Sequence, residues 1–204
     1  MKICSIICGA PDVSIPKDKV EGLVIAADRG LDYCITNSIT PKYAVGDFDS
    51  AHNAPPEWIA TVTVPAEKDD TDTSLAIEMG IRLECSEFRL FCALGGRLDH
   101  TIANLQTIFK LKEKGFSAVA YGDGCEAFFV KEETVDIAKF DGYLSVFSYT
   151  PSAVVTLKGV KYPLDNHTLT NAFPLGISNV VTDDYAEITV ASGDVLVIKQ
   201  RYDD

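Results

Sequence analysis

The sequence lacks the signatures of several large classes of protein. It has no G-x-x-x-x-G-K-S/T phosphate-binding loop and no G-x-G-x-x-G fingerprint, which disfavours the common NTPases and dinucleotide-binding enzymes. No apolar run approaches the roughly 18 residues that span a membrane. The apolar start of the chain is too short and too early for a signal peptide. We therefore expect a globular protein with no membrane partner.

Positive charge is also scarce. The 204 residues include 18 lysines and arginines against 30 aspartates and glutamates, for a formal net charge of −12. This balance argues against a nucleic-acid partner, which needs a basic surface, and against an anionic membrane. An acidic protein can still bind a polyphosphate, but it then needs metal ions and a few well-placed cations.

The six cysteines form no C-x-x-C pair. Several lie in apolar, strand-like runs, where cysteine behaves as a small hydrophobic residue. Disulfides and a zinc site are therefore disfavoured, and we expect a cytoplasmic location, where thiols stay reduced.

Six apolar runs in the first part of the chain predict buried strands. Helical patterns lie between them. At 70–84 apolar residues recur four apart (Leu75, Met79 and Leu83), and at 98–113 four apolar residues share one face (Ile102, Leu105, Ile108 and Phe109). Continuous apolar strands that alternate with helices are typical of a parallel sheet covered on both sides. We therefore expect an α/β domain over residues 1–124 with a mostly parallel, Rossmann-like sheet. Its strands are predicted at 2–8, 22–27, 43–50, 61–64, 88–94 and 116–121.

The pattern changes after residue 124. Residues 125–204 contain short β-branched and aromatic segments separated by turn signals, and no helical period appears. We expect an all-β domain there, a small antiparallel sandwich or barrel. The irregular segment 166–179 is its longest gap, and long loops in compact domains tend to be functional.

The stretch 43–50 ends in two carboxylates. In an extended chain, side chains two residues apart point the same way, so Asp47 and Asp49 would sit roughly 6–7 Å apart at the backbone while Phe48 faces the core. Two adjacent anions repel unless a cation lies between them, and Mg²⁺ takes such oxygen ligands together with phosphate. The alternative is a polar strand end that caps a helix.

Further acids lie at other strand and helix ends. Asp28 ends the second predicted strand, where it could line a ligand site or simply cap a helix. Asp69 and Asp72 lie at a helix start, and their spacing of three could direct both at the cavity of Asp47 and Asp49. Because ligands bind at the carboxyl ends of parallel strands, we expect these acids to converge at one edge of the sheet.

The motif Gly-Gly-Arg-Leu-Asp-His at 95–100 joins a buried strand to a helix. Its glycines would let backbone N–H groups approach an anion, and a helix start favours phosphate. Arg97 adds a bidentate donor, whereas His100 could donate to a phosphate or be an ordinary polar residue. An acidic rim that faces such a turn suits metal-assisted phosphoryl transfer.

Four motifs together resemble the thiamine pyrophosphokinase family. They are Ala-Asp-Arg-Gly at 27–30, Gly-Asp-Phe-Asp-Ser at 46–50, Lys-Asp-Asp-Thr-Asp at 68–72 and the motif at 95–100. Segments 168–170 and 176–179 are similar to that family's thiamine-side loop. The resemblance implies an α/β nucleotide-binding catalytic domain followed by a β-sandwich thiamine-binding domain. It also implies a homodimer whose active site lies between one subunit's α/β domain and the other's sandwich.

The resemblance implies roles for individual residues. Ser178 and Asn179 would meet thiamine from the partner subunit, and Tyr185 or Phe173 could stack on its pyrimidine ring. The rest would act on ATP: Asp47, Asp49 and Asp72 would hold Mg²⁺ against its phosphates, and Asp28, Lys68, Asp69, Arg97, Asp99 and His100 would line the same pocket.

The implied reaction is ATP + thiamine → AMP + thiamine diphosphate. Either Asp99 or Asp72 could accept the proton of the thiamine hydroxyl. Two rivals stand beside this hypothesis: a metal-dependent phosphohydrolase that uses the same acids on water, and a non-catalytic thiamine- or nucleotide-binding regulator. A requirement for thiamine as acceptor separates the transferase from the hydrolase, and the many acids of the rim disfavour the regulator.

Overall fold

A computed structural model of the chain describes residues 1–11, 14–48, 55–63 and 71–202. The chain divides into two compact units, Met1–Asp123 and Gly124–Asp204, which are described in turn. Among the described helices, none is both long and apolar enough to cross a membrane.

The first unit is built on a parallel sheet, of which the described residues form six strands. The spatial order is β4-β3-β2-β1-β5-β6, and every neighbouring pair runs parallel. This confirms the largely parallel sheet predicted from the apolar runs. The strands are β1 (Ile3–Ile7), β2 (Leu23–Ala27), β3 (Tyr43–Gly46), β4 (Ala60–Thr63), β5 (Glu87–Leu94) and β6 (Ser117–Gly122).

The order of these strands creates a switch point. The chain moves outward from β1 to β4 on one side of the sheet and then returns to place β5 on the other side of β1. In open α/β sheets, a crevice forms outside the carboxyl ends of the strands at such a point, and ligands bind in it. The turns that follow β1 and β5 are therefore where a ligand site is expected.

Where the structure describes this unit, three α-helices and a short 3₁₀ helix (Lys17–Lys19) accompany the sheet. They are α1 (Gly30–Thr36), α2 (Asp72–Arg82) and α3 (Leu98–Glu113), so α3 has the predicted bounds and α2 lies within its predicted range.

The buried faces of these helices differ from those expected. In α2 the buried residues are Ala76, Ile77 and Gly80 rather than the larger Met79. A Cβ atom on Gly80 would lie 2.8 Å from the Phe88 ring, so small residues are what allow the helix to approach the sheet. In α3, Ile108 and Leu111 are buried, whereas Ile102, predicted on the inner face, is 48% exposed.

The second unit contains two antiparallel sheets. One has the order β7-β13-β9 and the other β11-β10-β12-β8. A cluster of buried aliphatic side chains, including Val155, Leu157 and Ile188, forms its core. The predicted β-rich character is thus confirmed. The strands are β7 (Cys125–Lys131), β8 (Thr134–Ala138), β9 (Gly142–Ser148), β10 (Ser152–Lys158), β11 (Leu164–Thr170), β12 (Tyr185–Ser192) and β13 (Asp194–Arg201).

Strand β11 was not expected from the sequence. It occupies Leu164–Thr170, so the prediction that the irregular segment begins at Asn166 is wrong. Its residues are mostly exposed and polar, and only Leu169 is buried, so no apolar alternation reveals the strand. Asn166 adopts a left-handed conformation, with φ 45°, and the register against β10 shifts between Val155 and Leu157.

All six cysteines are free thiols, five of them buried. Burial raises the pKa of Cys8, Cys34 and Cys92 to about 12 in each case, and that of Cys125 to about 11. These thiols therefore stay protonated at neutral pH and pack as small hydrophobic groups.

Candidate active site

A cavity of about 490 Å³ opens at the switch point of the first unit, a size typical of small-molecule sites. Asp28 follows β2, Asp47 follows β3, Asp72 begins α2, and Arg97 and His100 lie at the start of α3. All five side chains line the cavity. The structure thus brings together acids that are far apart in sequence, beside a guanidinium group and an imidazole.

Asp28 is held in an unusual backbone conformation. Its φ is 47°, and its amide donates to the carbonyl of Val45 at 2.8 Å. The N-cap of α1 is Arg29, which makes no side-chain capping bond, so the alternative of Asp28 as a helix cap is wrong. A Cβ atom on Gly46 would lie 3.0 Å from the Asp28 Cα atom, so the ends of β2 and β3 touch where both acids emerge.

The chain turns sharply beside Asp47. Strand β3 ends at Gly46, and Phe48 has a φ of 60°, so the extended geometry assumed for the Asp47–Asp49 pair is wrong. The turn is explained by packing, because the Phe48 ring lies against the buried cluster of the first unit. Asp49 lies outside the described residues, and its place beside Asp47 stays a prediction.

Asp72 is the first residue of α2, where a carboxylate is favoured by the positive end of the helix. Thr71 caps the helix by accepting from the Ser74 amide at 3.1 Å. The Thr73 hydroxyl donates to the Cys8 sulfur at 3.6 Å, which ties the start of α2 to the end of β1. Lys68 and Asp69 lie outside the described residues, so their convergence on this cavity stays a prediction.

Arg97 and Asp99 form a two-pronged ion pair. The Arg97 Nε atom lies 3.1 Å from Asp99 Oδ1, and Nη2 lies 2.6 Å from Oδ2. The hydrogen bond from Arg97 lowers the pKa of Asp99, so this exposed carboxylate is a weaker base than an ordinary aspartate. Asp99 is not on the wall of the cavity, whereas Arg97 is. The pair thus aligns the Arg97 guanidinium with the Asp99 carboxylate at the start of α3.

The turn that carries Arg97 is held by residues that the sequence did not single out. The Thr101 hydroxyl accepts from the Gly95 amide at 3.1 Å, and Asn104 donates to the carbonyl of Ala93 at 2.7 Å. A Cβ atom on Gly96 would collide with the ring of Pro11. Of the two glycine amides predicted to approach an anion, that of Gly95 is therefore already occupied by Thr101.

We predict that Asn104→Ala raises the KM for the expected nucleotide, ATP, by about 10-fold, because one partly buried hydrogen bond is lost and the turn is loosened. The KM for thiamine should change much less. Steady-state kinetics with each substrate varied in turn measures this split. Gln106→Ala, on an exposed position of the same helix, is the matched control, and an unchanged KM for ATP in Asn104→Ala would contradict the positioning role.

The acids of the cavity fit a divalent cation that is bound by both carboxylates and phosphate oxygens. Within the described ranges, no three His, Cys, Asp or Glu side chains lie close enough to enclose a metal ion. Mg²⁺ is usually bound by one or two carboxylates plus phosphate oxygens and waters, rather than by a complete protein cage. Asp28, Asp47 and Asp72 supply carboxylates of this kind to the lining of one cavity.

Ser178 and Asn179 belong to the second unit, between β11 and β12. Asn179 is buried: its Oδ1 accepts from the Tyr162 and Val180 amides at 3.0 and 2.9 Å, and its Nδ2 donates to the Tyr162 carbonyl at 2.8 Å. Ser178 is exposed, with a left-handed φ of 57°. Asn179 therefore holds the loop by these hydrogen bonds, whereas Ser178 is exposed to solvent.

Comparison with known families agrees with this arrangement. Residues 19–120 match the family model "Thiamin pyrophosphokinase, catalytic domain", and residues 130–195 match "Thiamin pyrophosphokinase, vitamin B1 binding domain". The chain belongs to the thiamin pyrophosphokinase family, which confirms the family and the enzyme class predicted from its motifs.

Individual relatives are similar over their full length. The thiamine pyrophosphokinase of Bacillus subtilis (strain 168) is 28% identical over 211 residues, covering 98% of this chain and 99% of the relative. The crystal structure of thiamine pyrophosphokinase from Bacillus subtilis superposes with a TM-score of 0.89 at 25% identity, covering 98% of this chain and 100% of that one. Thiamin pyrophosphokinase from Geobacillus thermodenitrificans gives 0.84 at 26% identity, covering 99% of each chain.

Proposed function

We propose that this chain transfers pyrophosphate from ATP to the hydroxyl of thiamine, giving thiamine diphosphate and AMP, with Mg²⁺ as the divalent metal. The observation that carries the proposal is the cavity at the switch point, which is lined by Asp28, Asp47 and Asp72 together with Arg97. Family models cover both units of the chain, which supports a catalytic part and a vitamin-binding part.

Each residue of the cavity has a separate task in this reaction. Asp47 and Asp72, together with Asp49, would hold Mg²⁺, and a bound ion would supply charge neutralisation for the phosphates. Arg97 donates to phosphate oxygens, and Asp99 orients it. The remaining pocket residues, Asp28, Lys68, Asp69 and His100, are proposed to line the nucleotide site.

The transfer itself is a single displacement. The thiamine hydroxyl oxygen bonds to the β-phosphorus of ATP, the bond from that phosphorus to the α–β bridging oxygen breaks, and AMP leaves. The hydroxyl proton passes to a carboxylate. Of the two candidates, Asp72 is favoured over Asp99, because Asp72 lines the cavity and Asp99 does not.

The thiamine side is proposed to come from the second unit. Ser178 is exposed and could contact the vitamin, whereas Asn179 would act by fixing the loop. Phe173 and Tyr185 are 65% and 53% exposed, so either ring is available to stack on a pyrimidine. We also propose that the first unit is Rossmann-like and that the two sheets of the second unit form a sandwich. Two subunits are proposed to pair, so that each active site combines the α/β domain of one subunit with the sandwich of the other.

The six free thiols favour a reducing compartment, and we propose the cytoplasm.

A product assay tests the proposed reaction. The protein is incubated with ATP, Mg²⁺ and thiamine, and the nucleotide and vitamin products are separated by chromatography. We expect AMP and thiamine diphosphate in equal amounts, and no AMP without thiamine. ADP with thiamine monophosphate would replace pyrophosphate transfer by single phosphate transfer. Phosphate release without thiamine would favour a phosphohydrolase, and binding without turnover would favour a regulator.

A further inference from the structure

A second guanidinium lies on the wall of the cavity. Arg29 follows Asp28 directly and lines the same cavity as Arg97. Whereas Arg97 is paired with Asp99, Arg29 has no carboxylate partner among the described residues. Its guanidinium carbon lies 5.7 Å from the centre of the Tyr33 ring, a cation–π contact rather than an ion pair.

Two turns that carry arginine meet the same short segment after β1. A Cβ atom on Gly9 would lie 3.4 Å from the Arg29 Cβ atom, and one on Gly96, beside Arg97, would collide with Pro11. Gly9 and Pro11 are two residues apart, so they are separated by roughly 7 Å at most. The two arginines therefore flank one stretch of backbone at the carboxyl end of β1.

We propose that Arg29 is a second phosphate-binding arginine, which contacts the polyphosphate of the nucleotide together with Arg97. The inference rests on the proposed function for the identity of the ligand. A guanidinium on a cavity wall that forms no ion pair with a described carboxylate can receive an anion, and planar guanidinium groups bind phosphate oxygens by two parallel hydrogen bonds. Because Arg97 is already paired with Asp99, Arg29 adds a positive charge that forms no ion pair with a described carboxylate.

The test measures binding by titration calorimetry in the absence of thiamine, so that no turnover is needed. The ligands are ATP with Mg²⁺ and inorganic triphosphate with Mg²⁺. Arg29→Ala should weaken both by about 10- to 100-fold, the loss expected for charge-assisted hydrogen bonds. Arg29→Lys keeps the charge but not the two-pronged geometry, so it should fall between Arg29→Ala and the unaltered protein.

The matched control is Arg82→Ala. Arg82 is an exposed arginine of the same unit, paired with Glu78 on α2 and away from this cavity, so its loss changes the net charge equally. It should leave both affinities unchanged. Thermal unfolding of each variant shows that the fold is retained, and Arg29→Lys keeps the contact with Tyr33 if the alanine variant fails to fold.

Three outcomes would overturn the inference. One is unchanged affinity for both ligands in Arg29→Ala and Arg29→Lys. Another is a loss for ATP but not for inorganic triphosphate, which would place Arg29 against the nucleoside. The third is an equal loss in Arg82→Ala, which would make the effect one of net charge. If the arginine dependence holds but no thiamine diphosphate is formed, the proposed reaction fails and the phosphate site stands.

Discussion

Replacing Asp47 by asparagine should lower kcat/KM for pyrophosphate transfer by about 100- to 1,000-fold, the loss typical when one group that stabilises transition-state charge is removed. Asparagine keeps the shape of the side chain but removes its negative charge, so a divalent cation shared with the phosphates loses a ligand. Asp49→Asn should have a comparable effect. Kinetics at saturating thiamine, over a range of Mg²⁺ concentrations, measures the loss.

The control is Asp18→Asn, an equally conservative change at an exposed position of the 3₁₀ helix. It should retain full activity. The unfolding midpoint of Asp47→Asn should match that of the unaltered chain, since the change is isosteric. Near-normal activity for Asp47→Asn at limiting Mg²⁺ would remove the metal-binding role from this residue.

Gly30→Ala should destabilise the first unit by about 3 kcal/mol, at the upper end of overpacking penalties. A Cβ atom at this position would collide with the carbonyl oxygen of Ile7, a fully buried residue of β1. Neither group can move aside easily, because β1 is paired on both sides and Gly30 begins α1. Denaturant unfolding followed by circular dichroism gives the change in free energy.

Gly115→Ala is the matched control. Gly115 has a left-handed φ of +82° but nothing within 4 Å of an added Cβ atom, so alanine there costs only the conformational strain, about 1 kcal/mol. A loss in Gly30→Ala no larger than in Gly115→Ala would show that α1 can shift away from β1.

The sequence predicted the frame of this site better than its details. Continuous apolar runs separated by helical patterns led to the parallel sheet, and the Gly-Gly-Arg motif at 95–100 was correctly placed between β5 and α3. Both features depend on local pattern and chain order, which a single sequence contains. The placement of Asp28 and Asp47 at one cavity follows from the rule that ligands bind at the carboxyl ends of parallel strands.

Features that depend on contacts between distant residues could not be read in this way. The turn at Phe48 results from its ring packing on the core, and the roles of Thr101 and Asn104 result from hydrogen bonds that connect α3 back to Gly95 and to Ala93 of β5. Strand β11 is recognisable only by its pairing with β10. Arg29 belongs to the motif at 27–30, but whether its guanidinium can bind a phosphate depends on which carboxylates lie near it in the fold.

Three strands of the first sheet lead into or contain a non-glycine residue with a left-handed backbone near the site. Asp28 follows β2, Phe48 comes two residues after β3, and Cys92 lies within β5, with φ values of 47°, 60° and 50°. Each such conformation costs roughly 1–3 kcal/mol. The packing of the buried sheet must offset this cost for the site to keep its shape. Mutations that weaken the core should therefore reduce activity before they unfold the chain, and variants selected for thermal stability should tolerate a wider range of changes around the nucleotide.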